Sequence, residues 1–289
     1  MRDCEGAIQM ETQFSRAKVI RHIVIYFLLF FAGDLLNTVV FDLLYMVVKL
    51  PIRGLYSILR TSGCFIFSYF LFWFYTTKIL HLKMRDFRIT CSIKKWAVLY
   101  AVILPAFVII CYLVIGRLTV TGLNVGEIIV AVIYSVVTAL KAGILEEMLF
   151  RGYIMKLLEK RWNRSLAVLL PSFLFSLLHI PSMEVFSVAG VLLLVISGTL
   201  VGVMFSLIAY KGDSISNSSL VHAIWNFILV TDIIHITTAQ GVYGEPVFSI
   251  IIPSDNVLVT GAGFGVEASI IAIIGYLFVC VAVIPKKKK

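Results

Sequence analysis

Eight apolar stretches succeed one another along the chain, at 22–48, 56–77, 96–116, 127–149, 165–181, 185–209, 218–236 and 266–285. Each approaches the roughly 20 residues that an α-helix needs to cross a bilayer. The pattern predicts an all-α fold, a polytopic membrane helical bundle of about eight transmembrane helices. The fifth stretch is short, and the fourth is expected to continue as a helix past the membrane. The first follows about twenty polar residues and is too long for a signal-peptide core, so it reads as a retained span. Between the last two stretches, 237–264 carries Gly241, Gly244, Pro246, Pro253, Gly261 and Gly263, and is expected to be irregular.

The polar segments between the stretches divide by charge. With eight crossings both termini share a side, and twenty of the 25 Lys and Arg residues fall there: before residue 22, in 78–95, in 151–164, at Lys211 and at 286–289. The other side holds Lys49, Arg53, Arg60 and Arg117, while Lys141 lies within a stretch. The positive-inside rule therefore puts both termini in the cytoplasm. The formal net charge of +9 is thus accounted for by orientation at an anionic membrane face, and nucleic acid is not expected as a partner.

Composition supports the same class. The chain is 60% hydrophobic and 14% charged over 289 residues, well below the roughly 25% charged of a soluble domain. The five cysteines are scattered without CxxC spacing, which argues against structural disulfides or a thiolate metal site.

Against this background three polar clusters stand out: ILEEMLFRG at 144–152, FSLLH at 175–179 and HAIWN at 222–226. A charged group at the bilayer centre costs about 2.5–3.5 kcal/mol on insertion scales, so its retention calls for a use or a partner. Glu146 and Glu147 diverge by about 100° on a helix, which predicts different tasks. Glu147 and Arg151 are four apart in the favourable order for an ion pair, leaving Glu146 free as a general base. Residues 146 and 179 are equidistant from a turn at WNRS near 162, so a helical hairpin returns Glu146 and His179 to a similar level. His222 and Asn226 share a helix face, able to hold an oxyanion or a water, or equally to bond a neighbouring helix. An N-cap is expected in SISNSS at 214–219.

The remaining polar groups carry less. An interhelical pair of Lys141 with Asp34 or Asp42 is expected, while His22, His81 and His235 read as interfacial and Trp162 and Trp225 as packing or interface anchors. The chain has no HExxH, no GxSxG and no phosphate cradle, and its GAGFG lies outside any βαβ unit.

Taken together, EExxxR (Glu146, Glu147, Arg151), FxxxH (Phe175, His179) and HxxxN (His222, Asn226) resemble the CAAX prenyl protease 2 family, also called CPBP or Abi, over roughly 127–230. The resemblance implies a catalytic core at 126–236. It leaves 1–125 as N-terminal transmembrane helices of unassigned role, and 237–289 as a non-cytoplasmic loop with the last helix. It implies an intramembrane endopeptidase acting on a membrane-embedded or lipid-anchored, prenylated or hydrophobic peptide, in a bacterial plasma membrane. In that reading Glu146 activates water with His179, His222 and Asn226 hold the oxyanion, and Arg151 orients Glu147. Whether the mechanism is glutamate-dependent or uses zinc on Glu146, His179 and His222 stays open at this point. The active cavity is expected to open to the cytoplasm. Two other classes fit intramembrane polar groups: a non-catalytic immunity or scaffold protein, and a proton-coupled transporter.

Overall fold

A computed structural model describes residues 15–48, 53–183, 185–239 and 246–284. The lysines at 286–289 and the polar segment before residue 15 lie outside these, as do Lys49, Gly241 and Gly244.

The bundle is built from α1 (Arg16–Val47), α2 (Arg53–Phe74), α3 (Lys95–Ile115), α4 (Val125–Glu147), α5 (Met155–Arg161), α6 (Arg164–Leu178), α7 (Val188–Gly212), α8 (Ile215–Leu229), a short α9 (Val257–Thr260) and α10 (Ile270–Val283). Each expected span has its helix. Among the described residues six helical segments are long and apolar enough to cross a membrane, and α10 is a shorter apolar one. Leu28, Leu35, Val102, Ile110, Leu192 and Val281 are among many large apolar side chains left exposed on the bundle surface. Such a surface belongs in lipid rather than water.

The fourth span does run on. Helix α4 begins with a reciprocal cap between Asn124 and Glu127 and passes, through a π-helical segment at Met148–Ile154, straight into α5. The resulting helical rod, Val125–Arg161, is 37 residues long. The expected turn at 162 follows, with Asn163 capping α6. Ser214 caps α8, within the segment where a cap was expected.

Two expectations need correcting. The seventh span, predicted to reach 236, ends at Leu229, and β2 (Ile234–Thr237) follows it. The loop 237–264 is not wholly irregular, because β3 (Phe248–Ile251) runs parallel to β2 and antiparallel to β1 (Arg117–Val120). This small sheet satisfies backbone groups that short loops at the mouth of a bundle would otherwise leave unpaired. The glycine-rich stretch behaves as expected: Gly261 has φ +80° and a Cβ there would collide with the carbonyl oxygen of Gly265.

Small residues set how closely the central helices approach. At the α4–α8 crossing a Cβ on Gly143 would stand 2.8 Å from the backbone nitrogen of Ala223. At the α6–α7 crossing a Cβ on Gly202 would stand 2.7 Å from Cβ of Ser172. Close backbone contact of this kind replaces hydrophobic driving force between helices in a membrane. Both glycines lie within a turn or so of the polar clusters, so the tightest packing surrounds the candidate site.

The two ends of the bundle differ. At one end the segment 83–95 is laced to the α5–α6 and α7–α8 turns. Arg88 pairs with Glu159 at 3.0 Å and Asp213 at 3.1 Å, and Lys94 N donates to Asn217 Oδ1 at 2.8 Å. Burial works against the Arg88 charge, but its bonds to Glu159 outweigh that and hold its pKa above the ordinary value. At the other end lie the sheet, the α6–α7 connection and the turn 261–268.

Candidate active site

Glu147 and Arg151 lie on consecutive turns where α4 passes into the π-helical segment, and both side chains are fully buried. Arg151 Nη1 donates to Glu147 Oε1 at 2.8 Å, and Nη2 donates to the Gly202 carbonyl at 2.9 Å. The guanidinium is packed among the rings of Phe175 (4.8 Å), Phe205 (5.3 Å) and Phe150 (5.7 Å). The expected ion pair is present, in a setting where losing one partner strands the other.

Glu146 and Glu147, although they diverge on the helix, both face one ring. His222 Nδ1 lies 3.3 Å from Glu147 Oε1, and its Nε2 lies 3.9 Å from Glu146 Oε2. Two adjacent carboxylates thus bracket the two nitrogens of a single imidazole on the facing helix. Because Glu147 is ionised against Arg151, it accepts a hydrogen from Nδ1, which fixes the tautomer and leaves Nε2 toward Glu146. Phe205 stacks on the same ring at 4.7 Å and 17°. Glu146 Oε2 is shielded from solvent and has no hydrogen-bond partner among the described residues.

His179 closes α6 one turn after Phe175, and its Nδ1 is 2.7 Å from the Phe175 carbonyl oxygen. A carbonyl only accepts, so Nδ1 carries the hydrogen and Nε2 is the free position. His179, His222 and Asn226 line one cavity of about 240 Å³, with Phe175, Phe205, Trp225 and Glu267. Neither a hydrogen bond nor an ion pair joins His179 to Glu146 among the described residues. The imidazole beside Glu146 is His222.

As for a metal, no group of three His, Cys, Asp or Glu residues placed to hold an ion occurs among the described residues. Glu146, His179 and His222 are therefore not brought together as a three-ligand set.

The cavity shares Ser182, Val230, Phe264 and Glu267 with an outer hollow of about 300 Å³ that also includes Asp232 and His235. All of these lie at the sheet end, opposite the basic turns. A separate hollow of about 390 Å³, lined by Met84, Ile89, Thr90, Ile144, Ser216 and Ala223, lies at the basic end, where the opening was expected.

Several side chains are placed differently from their sequence reading, or more narrowly than it. Of its two readings, packing or interface anchor, Trp225 takes the first: it is buried, and its Nε1 donates to Glu267 Oε1 at 2.9 Å. His22 is buried as well, 2.7 Å from the Tyr75 hydroxyl. No ion pair joins Lys141 to Asp34 or Asp42 among the described residues; Asp34 instead accepts from Cys64 at 3.4 Å. Glu267 was missed altogether, although an acid inside the predicted span 266–285 was a signal available in the sequence.

Residues 128–228 match the family model described as type II CAAX prenyl endopeptidase, Rce1-like. The chain carries an Rce1-like domain. The resemblance read from the three motifs is borne out, and Glu146, Glu147, Arg151, Phe175, His179, His222 and Asn226 all fall within the match. No curated protein and no solved structure matches the chain. With its six long apolar helices, the chain is an integral membrane protein that carries this domain.

Proposed function

We propose that this domain hydrolyses a peptide bond in a membrane-associated peptide or protein, prenylated or otherwise hydrophobic, using a water activated by Glu146. The observation that carries the reading is the separation of 3.9 Å between Glu146 Oε2 and His222 Nε2. Two acceptors at that spacing can both take hydrogen bonds of about 2.8 Å from one water. Glu147 and Arg151 hold His222 in the tautomer that presents Nε2, so they position rather than react. Glu146 takes the proton as the water attacks the scissile carbonyl. The amide of Asn226, one turn from His222 on the cavity wall, donates to the oxyanion. Glu146 then returns that proton to the leaving amine as the C–N bond breaks, and His179, locked through Nδ1, presents its free Nε2 as an acceptor for an N–H of the same amine. The reading extends, on family resemblance, to a bacterial plasma membrane.

Purified protein in liposomes, offered a library of membrane-inserted peptides, tests this. Native protein should release defined fragments, and Glu146→Gln should release none while keeping the same melting temperature. Equal cleavage by both proteins would overturn the assignment.

A further inference from the structure

The wall of the cavity facing the two histidines is supplied by residues outside the matched domain. Glu267 lies in a single 3-10 turn, Val266–Ala268, between the glycine-rich stretch and α10. It is anchored on both sides: its carbonyl accepts from the Tyr276 hydroxyl at 3.1 Å, and its Oε1 accepts from Trp225 Nε1 at 2.9 Å. Trp225 is on α8, between His222 and Asn226, so the carboxylate is fixed to the same helix that carries two site residues. Its Oε2 has no hydrogen-bond partner among the described residues. Glu267 lines both the inner cavity and the outer hollow, whose ionisable lining is completed by His179 and His222 inside and by Asp232 and His235 outside. Asp232 and His235 already face each other at 3.4 Å. No Lys or Arg lines either hollow among the described residues. A held carboxylate with a free oxygen, in a poorly solvated passage without Lys or Arg, favours a cationic guest and disfavours an anionic one.

We propose that Glu267 is a specificity-determining residue: it binds an ammonium or guanidinium group of the substrate, and it disfavours substrates that bring a carboxylate into this cavity. The inference rests on the proteolytic reading for its biological meaning, but its physical content is binding. A substrate group reaching Glu267 lies on the sheet side of the histidines, so the selected charge is close to the scissile bond.

The test uses full-length Glu146→Gln protein in nanodiscs, with labelled membrane peptides identical except for Lys, Met or Glu at one scanned position. Each is made with a free and an acetylated N-terminus, which separates a side-chain cation from the terminal amine. Binding is read by fluorescence anisotropy. At the responsive position the Lys peptide, or the free-amine peptide, should bind about tenfold tighter than the Glu or acetylated form. A second substitution, Glu267→Gln, keeps an acceptor for Trp225; it should bring the ratio to within about twofold, and Glu267→Lys should invert it. Equal binding of all peptides at every position, or an unchanged ratio in Glu267→Gln, would overturn the proposal. Charge selection in a chain whose native form cleaves nothing would overturn the proteolytic reading and leave this one standing. Cleavage that depends on Glu146 without charge selection would do the reverse.

Discussion

The two ends of this bundle use charge in opposite ways. At the basic end Arg88, Glu159, Asp213 and Asn217 bond to one another and to backbone, and the charges are spent on joining the segment 83–95 to two helix turns. Toward the other end Glu146 Oε2, Glu267 Oε2 and the Asn226 amide have no hydrogen-bond partner among the described residues, although Glu146 and Asn226 stand on helices and Glu267 is anchored to Trp225. Satisfied polar groups hold a fold together, whereas groups held in place but left unsatisfied are available to act on something else. The fully buried Glu147–Arg151 pair stands between these regimes. Its two members bond each other, with Glu147 Oε2 and Arg151 Nε left without a hydrogen bond among the described residues, and it orients His222.

The contrast can be broken by substitution, and the effects should fall in a definite order. Glu146→Gln should lower kcat by a factor on the order of 10²–10⁴ with the melting temperature unchanged, as read by peptide release in liposomes. An unfolded or unstable variant would mean that Glu146 belongs with the structural charges. Arg151→Ala leaves Glu147 uncompensated at full burial and should destabilise the protein by about 3–5 kcal/mol, measured by unfolding in detergent. A stable, merely inactive Arg151→Ala would show the pair to be catalytic rather than positioning. Asn226→Ala should lower kcat by roughly 10²–10³ with little change in KM, as expected for a donor used only in the transition state. Arg88→Ala, at the basic end, should cost about 1–2 kcal/mol of stability and leave kcat/KM unchanged. A loss of turnover from Arg88→Ala would erase the distinction between the two ends.

How much of this was legible in the sequence depends on the range of each contact. Glu147 with Arg151 and His179 with the Phe175 carbonyl are four-residue contacts, which helical periodicity reveals directly. The turn at Trp162 followed from counting residues along a hairpin. That both glutamates attend to one imidazole did not follow, because it depends on α4 and α8 meeting at Gly143 and Ala223, and such a crossing has no local sequence signature. The same holds for Glu267, which reaches the site by packing of α10 and the Trp225 hydrogen bond across more than forty residues. The strand Phe248–Ile251 was hidden among glycines and prolines, since four residues are too few for a period of two to stand out. Charge counts orient a chain in the membrane, but they do not place the hollows within a bundle.

The central claim is that Glu146 delivers a water to the peptide bond and does not itself attack it. A single turnover in heavy-oxygen water, with enzyme in excess over a cleavable membrane peptide and the new carboxyl terminus read by mass spectrometry, tests this most directly. The account predicts one solvent-derived oxygen in the product of that first turnover. A first product whose carboxylate carries no solvent oxygen would mean that a protein oxygen formed the bond, and would contradict it.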